Sequence, residues 1–155
     1  MKDIDLTPYH LDHPKRHETY IVLGALGLLA LRGIVILDAC LTGSAFCTTV
    51  ENPGDLDVVI LVQDATAAEQ AMQGLGWEGC GVEGYAPQPG EPVWGAYRHG
   101  PVNVIVTDDP TWYTHRWVKP SYRLLELDLH RKEDRVAVFS EGDVAYKRIK
   151  ENEHA

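Results

Sequence analysis

Asp55-Leu-Asp57-Val-Val-Ile-Leu-Val62 is the stretch on which the reading of this sequence turns. After its two aspartates it is wholly apolar and rich in β-branched residues, the strongest strand pattern in the chain. In an extended chain residues i and i+2 project to the same side, so Asp55 and Asp57 present two carboxylates together where the strand opens. Just upstream, Val35-Ile-Leu-Asp-Ala-Cys-Leu41 reads as a shorter buried strand running into the turn Thr42-Gly43-Ser44. A loop over residues 45–54, closed by Pro53-Gly54, connects the two.

Moving outward, a helix is expected from about Pro14 to Leu31, with Gly33 as its stop. A second helix is expected over Thr66–Leu75, entered through Asp64 as N-cap and left through Gly76. The glycine- and proline-rich segment from Trp77 to Pro92 reads as a strand edge followed by a surface loop. Val93–Arg98 and Val102–Thr107 flank His99-Gly100-Pro101 and form a hairpin pattern. A helical pattern then runs from Pro110 to about Leu129, to be kinked or split at Pro120. Lys132–Lys150 is read as a final helix, with a hairpin turn at Ser140-Glu-Gly-Asp143 as the alternative. This order implies an α+β fold, a small mixed β-sheet with flanking helices. It forms one domain over 1–155, with a core of about 15–107 and a C-terminal helical part of about 110–150.

At 155 residues and 45% hydrophobic content the chain can bury one core, which excludes a disordered protein. Fourteen Lys and Arg against 23 Asp and Glu give a net charge of −9. Residues 51–110 carry 1 basic and 10 acidic side chains and so hold the whole excess. An acidic chain repels a phosphate backbone at long range, which argues against sequence-specific DNA binding. Cys40, Cys47 and Cys80 include no Cys-x-x-Cys pair, which argues for a reducing compartment rather than a disulfide framework. The apolar run Ile21–Leu37 is broken by Arg32 and Gly33, too short for the roughly 20 residues of a bilayer span, and the polar N-terminus does not read as a signal peptide. The expectation is a cytoplasmic protein with no membrane partner.

Paired carboxylates repel one another, and a divalent cation removes that cost; hard oxygen ligands of this kind select Mg²⁺ or Mn²⁺, which bridge substrate phosphates. The Gly43-Ser44 turn offers backbone N–H groups and a hydroxyl to the same phosphates. Asp55 and Asp57 are therefore candidate metal ligands, and Gly43 and Ser44 candidate phosphate contacts.

A helix and strand leading to Gly43-Ser44, then ten residues, then Asp55-Leu-Asp57 opening the next strand, resembles the nucleotidyltransferase fold of the DNA polymerase beta superfamily over about residues 17–107. The resemblance implies a minimal nucleotidyltransferase fold and a Mg²⁺-dependent (or Mn²⁺-dependent) enzyme. Such an enzyme transfers a nucleoside monophosphate from an NTP to a hydroxyl acceptor on a small molecule, protein or RNA end. Asp55 and Asp57 would hold two metals, Gly43 and Ser44 would contact the triphosphate, and Arg98 or Lys119 would steady charge. One departure stands out: the family's third carboxylate falls on the strand Val102-Asn-Val-Ile-Val106, where the matching catalytic position is Asn103. An amide coordinates a cation weakly and cannot take a hydroxyl proton. Asp108 or Asp109, past the far end of that strand, is the candidate to substitute for the third carboxylate.

The last third, with His130-Arg-Lys-Glu-Asp-Arg135, is also similar to small nucleotidyltransferase-like proteins of tailed bacteriophages, which implies the host cytoplasm. The alternative reading is a catalytically inactive, phage-encoded module of the same type that binds a host protein partner. Asn103 and the acidic middle block favour it.

Other motifs read more plainly. Gly74-Leu-Gly76-Trp-Glu-Gly79 matches a dinucleotide-binding pattern but follows a helix rather than a strand, so its glycines read as a helix stop. His10, His13 and His17 have metal-ligand spacing but are interrupted by Pro14. Cys47 reads as an inert small side chain. Trp112, Tyr113, Trp117 and Tyr122, near Arg116, Lys119 and Arg123, could stack on a base and hold phosphates, but aromatics at helical spacing read rather as core; Arg131, Lys132 and Arg135 among acidic neighbours read as a solvated helix face.

Overall fold

The computed structural model describes residues 10, 11, 13–48, 55–80 and 95–153. In chain order these form α1 (Arg16–Leu31), β1 (Ile36–Thr42), α2 (Gly43–Cys47), β2 (Leu56–Val62), α3 (Ala65–Gly74), β3 (Glu78–Cys80), β4 (Gly95–His99), β5 (Val102–Thr107), α4 (Pro110–Trp112), a π-helical segment (Tyr113–Val118), α5 (Lys119–Leu127) and α6 (Lys132–Glu153). The fold is α+β, with five strands in the order β1-β2-β5-β4-β3. The β2–β5 pair is parallel and the other pairs are antiparallel.

Both faces of the sheet are covered, which is why β2 is apolar without alternation. On one face Val22, Leu26 and Leu29 of α1 and Met72 of α3 pack with Val58, Ile60 and Val104. Their i, i+4, i+7 spacing places the α1 residues on a single stripe. On the other face Val59, Leu61 and Ile105 pack with Trp112, Tyr113, Trp117 and Tyr146 of the C-terminal helices. The aromatic run after Pro110 is core, as expected, except that Tyr122 is exposed.

The helix α3 is capped by Asp64, whose side chain accepts from Ala67 N at 3.0 Å. It ends in a left-handed turn at Gly76, with Trp77 N donating to Met72 O and Gly76 N to Gln73 O, both at 3.0 Å. The apparent dinucleotide motif is therefore a helix stop. Beyond Cys80 the glycine-rich segment lies outside the described residues, as do Val93 and Trp94 at the start of the expected hairpin.

The expected loop over 45–54 is corrected at its start, because Gly43–Cys47 is helical. Five residues cannot satisfy their own terminal carbonyls, and side chains do it instead. Lys15 Nζ donates to Ala45 O, His13 Nε2 to Phe46 O at 2.7 Å, and Thr48 Oγ1 to Ser44 O at 2.7 Å. Pro120 splits the long helix as expected, and the split takes the form of a widened turn. Proline supplies no N–H and crowds the carbonyl four residues back, so the chain winds as a π-helix over Tyr113–Val118. Ser121 Oγ donates to Trp117 O at 2.6 Å. The final segment is a single helix, and the hairpin alternative is excluded. At Gly142 a Cβ would lie 2.3 Å from His115 O and 2.6 Å from Pro120 Cγ, so α6 crosses the π segment at a contact that only glycine permits. Among the described residues no helix is long and apolar enough to cross a membrane.

Candidate nucleotide and metal site

The strand register assembles the site. One row of facing residues crosses the entire sheet: Thr42 faces Asp57, Asp57 faces Asn103, Asn103 faces Arg98, and Arg98 faces Glu78. Side chains directly opposite one another share a face. The row lies at the edge where β2 and β5 begin, on the side covered by the C-terminal helices, since Val59 and Ile105 of the same parity pack there.

Asp57 is the centre of this row. Asn103, buried at 4% exposure, donates from Nδ2 to Asp57 Oδ1 at 3.1 Å. On the other side Gly43 has φ +78, and a Cβ there would lie 2.2 Å from Asp57 Oδ2. The Gly-Ser turn and the second aspartate are thus in contact, and the contact explains the glycine. Asp55 precedes β2 and is engaged elsewhere: Arg98 Nη2 donates to Asp55 Oδ2 in an ion pair.

A cleft open to solvent lies beside Asp57. The sheet side contributes Thr42, Gly43, Ser44, Asp57 and Ile105. The helical side contributes the cations Arg116, Lys132 and Arg135 and the apolar Trp117, Val136 and Phe139. Three cations and one carboxylate therefore line a cleft in a chain of net charge −9. A concave site with apolar walls and one sign of excess charge concentrates ligands of the opposite sign. Arg116 is only 3% exposed, and its guanidinium carbon stands 4.5 Å from the Trp117 ring centre and 5.0 Å from that of Phe139. Stacking of this kind holds the guanidinium plane against the aromatic faces. Arg135 Nη1 donates to His130 O at 2.6 Å, which ties the cation to the turn before α6.

Of the residues singled out from the sequence, Gly43, Ser44 and Asp57 line the cleft together, and Asn103 joins them through Asp57. Asp55 and Arg98 are brought to each other, and neither is part of the cleft lining. Lys119 is exposed at the start of α5 and does not line the cleft either. Asp109 is not a substitute third carboxylate: it sits past the opposite end of β5, where it caps α4 by accepting from Thr111 N at 2.9 Å and Trp112 N at 3.1 Å. Arg116 enters the cleft as one of the cations noted beside the aromatic run, whereas Lys132 and Arg135, read as a solvated helix face, were missed. Their only signal was that 9 of the 14 basic residues fall in positions 111–155 of an acidic chain.

The three histidines are not gathered. His13 is spent on Phe46 O, and His10 meets Tyr122 and Asp38. Among the described residues there is no group of three or more His, Cys, Asp or Glu side chains arranged to hold a metal ion. Cys47 is buried, as expected of an inert thiol; burial pushes it up to about 12, and the Asp57 carboxylate adds a smaller push in the same direction.

The chain was compared with known proteins. No family model, curated protein or solved structure matches it.

The donor set decides which metal would fit. The hard carboxylate oxygens of Asp57 would suit Mg²⁺ or Mn²⁺ rather than a softer ion, and Asp55, paired with Arg98 outside the cleft lining, adds no donor there. With Asn103 in the row and Arg98 on Asp55, the carboxylate charge for a second ion is lacking.

Proposed function

We propose that the cleft seats a nucleoside triphosphate, and that the chain is a nucleotidyltransferase moving the nucleoside monophosphate to a hydroxyl acceptor. The observation that supports this is the meeting of the Gly43-Ser44 turn, the Asp57 carboxylate and the cations Arg116, Lys132 and Arg135 in one cleft. The Gly43-Ser44 backbone and hydroxyl contact the β- and γ-phosphates, and the three cations offset their charge. Trp117, Val136 and Phe139 give the ligand an apolar wall. A Mg²⁺ or Mn²⁺ ion held at Asp57 would supply charge stabilisation at the α-phosphate and the departing oxygen. The acceptor oxygen forms a bond to the α-phosphorus, the bond to the β-phosphate oxygen breaks, pyrophosphate leaves, and the acceptor proton passes to a carboxylate or to water.

Incubation with each α-labelled NTP in Mg²⁺ or Mn²⁺, followed over labelled product and released pyrophosphate, tests the proposal. Transfer that disappears in Asp57→Ala supports it; transfer that survives in Asp57→Ala overturns it.

A second reading is favoured by a specific pair of contacts. Arg98 on Asp55 and Asn103 on Asp57 leave both aspartates paired with protein groups. On that reading the domain is a catalytically inactive module that binds a protein partner. No transfer from any NTP together with no NTP-induced thermal shift would favour it over the enzyme reading.

A further inference from the structure

The five-residue α2 carries the Gly43-Ser44 turn at one end, and its other end is held by a segment that precedes α1. Lys15 Nζ donates to Ala45 O, and His13 Nε2 donates to Phe46 O at 2.7 Å, with the His13 ring edge-on to the Phe46 ring at 5.3 Å between centres. A helix this short has too few internal bonds to keep its own place, so these two side chains fix where α2 lies. Gly43 lies against Asp57, so fixing α2 also fixes the sheet wall of the cleft.

His13 does this in one protonation state only. Lys15 N donates to its Nδ1 at 3.0 Å, so that nitrogen is bare, and the single ring proton sits on Nε2, where Phe46 O accepts it. A second proton would strengthen donation to Phe46 O. It would also turn Nδ1 into a donor facing the Lys15 N–H, and set a second cation beside the Lys15 ammonium on the neighbouring carbonyl. The two bonds of the ring cannot persist together in that state. The side chain is half-buried, so solvent protons reach it. Among the described residues, the ionisable groups that face it are Lys15 and His10 on its own segment, Cys40 of β1 and Tyr122 of α5 across a shared cavity, with Cys47 next to Phe46 on α2. Burial raises both thiols and the Tyr122 phenol, so all three keep their protons where a histidine titrates. His10 bonds to Tyr122 and meets Asp38 rather than α2.

We infer that His13 is a positioning residue for the cleft: as the neutral ring with its proton on Nε2 it holds α2, and with it the Gly43-Ser44 turn, in the place where phosphates are bound, and its protonation releases that hold. The inference rests on the reading of the cleft as a nucleotide seat, and it makes phosphate binding there fall as His13 takes up a proton.

The test follows the full chain by nuclear magnetic resonance, and by titration calorimetry with inorganic tripolyphosphate, between about pH 7.5 and about pH 5.5, either side of the ordinary histidine pKa. The Gly43 and Ser44 amide signals are expected to move with the same midpoint as the His13 ring. Tripolyphosphate affinity is expected to fall across that range by roughly fivefold more in the native chain than in His13→Gln, the scale of one hydrogen bond. Glutamine offers an acceptor and a donor in one side chain but takes no proton, so this variant is expected to keep near-native affinity at the upper pH and a near-native melting temperature. The ionisation of tripolyphosphate itself is common to both chains. Gly43 and Ser44 signals that do not follow the His13 titration overturn the inference, as does an equal fall in affinity in the native chain and His13→Gln. Absence of tripolyphosphate binding, with amide signals that still track His13, would remove the proposed seat and leave the positioning of α2 by His13 standing.

Discussion

Gly43→Ala isolates the contact on which the site is built. The residue has φ +78, and its Cβ would stand 2.2 Å from Asp57 Oδ2, 3.0 Å from Cγ and 3.1 Å from Cβ. Rotation about χ1 carries Oδ2 and Cγ away but breaks the Asn103 contact and leaves the tight contact to Cβ, which β2 fixes. Either the Asp57 carboxylate leaves its place or the Thr42–Asp57 pairing shifts. The left-handed backbone costs an alanine about 1–2 kcal/mol, and forcing a methyl into a filled site about 1–3 kcal/mol more. The sum is roughly 2–5 kcal/mol, equivalent to about 2–4 °C of Tm per kcal/mol for a chain of this size. Gly76→Ala is the control. Gly76 has the same φ of +78 but nothing within 4 Å of its Cβ, so it carries the backbone cost alone. Urea and thermal unfolding of both variants should rank Gly43→Ala as the more destabilised by about 1–3 kcal/mol, and Gly43→Ala alone should lose nucleotide binding. Equal destabilisation of the two variants, with nucleotide binding intact in Gly43→Ala, would refute the reasoning.

Three further outcomes follow from the same geometry. Arg135→Ala and Lys132→Ala should each weaken NTP binding about tenfold, with the loss shrinking at high salt and Tm nearly unchanged, measured by titration calorimetry at two ionic strengths. Gly142→Ala, whose Cβ meets His115 O and Pro120 Cγ, should push α6 off the π segment and cost about 1–3 kcal/mol in chemical denaturation. The Cys47 thiol, raised from 9.0 to about 12 by burial, favours the folded state fully below pH 9 and progressively less as pH rises from 9 towards 12. Cys47→Ala should therefore unfold with a shallower alkaline dependence in pH-dependent melts, and mass mapping at pH 8 should find Cys47 unlabelled by a thiol reagent until the chain is denatured.

The sheet was legible because its strongest strand is unambiguous: Leu56–Val62 is apolar at every position but one, and Asp64 and Gly76 mark the ends of the next helix by local rules alone. The helical state of Gly43–Cys47 was not legible, since it depends on Lys15 and His13 arriving from nearly thirty residues or more away. Spacing singled out Asp57, Gly43 and Ser44, which line one cleft, and Asp55, which does not line it. Period-2 alternation applies inside a strand, and Asp55 lies before the strand begins, where Arg98 draws it off. Two of the three cleft cations were invisible for a different reason. Lys132 and Arg135 alternate with Glu133 and Asp134 like any solvated helix face, and only the turn over 128–131 and the glycine crossing at Gly142 bring them to the sheet edge.

The central claim, that the cleft beside Asp57 is a nucleotide seat, is tested most directly by a crystal of the protein grown with Mn²⁺ and a non-hydrolysable nucleoside triphosphate. The account predicts an anomalous Mn²⁺ peak on the Asp57 carboxylate, with triphosphate density between Gly43-Ser44 and Arg135. Fully occupied nucleotide elsewhere on the surface, or a Mn²⁺ peak that avoids Asp57, would contradict it.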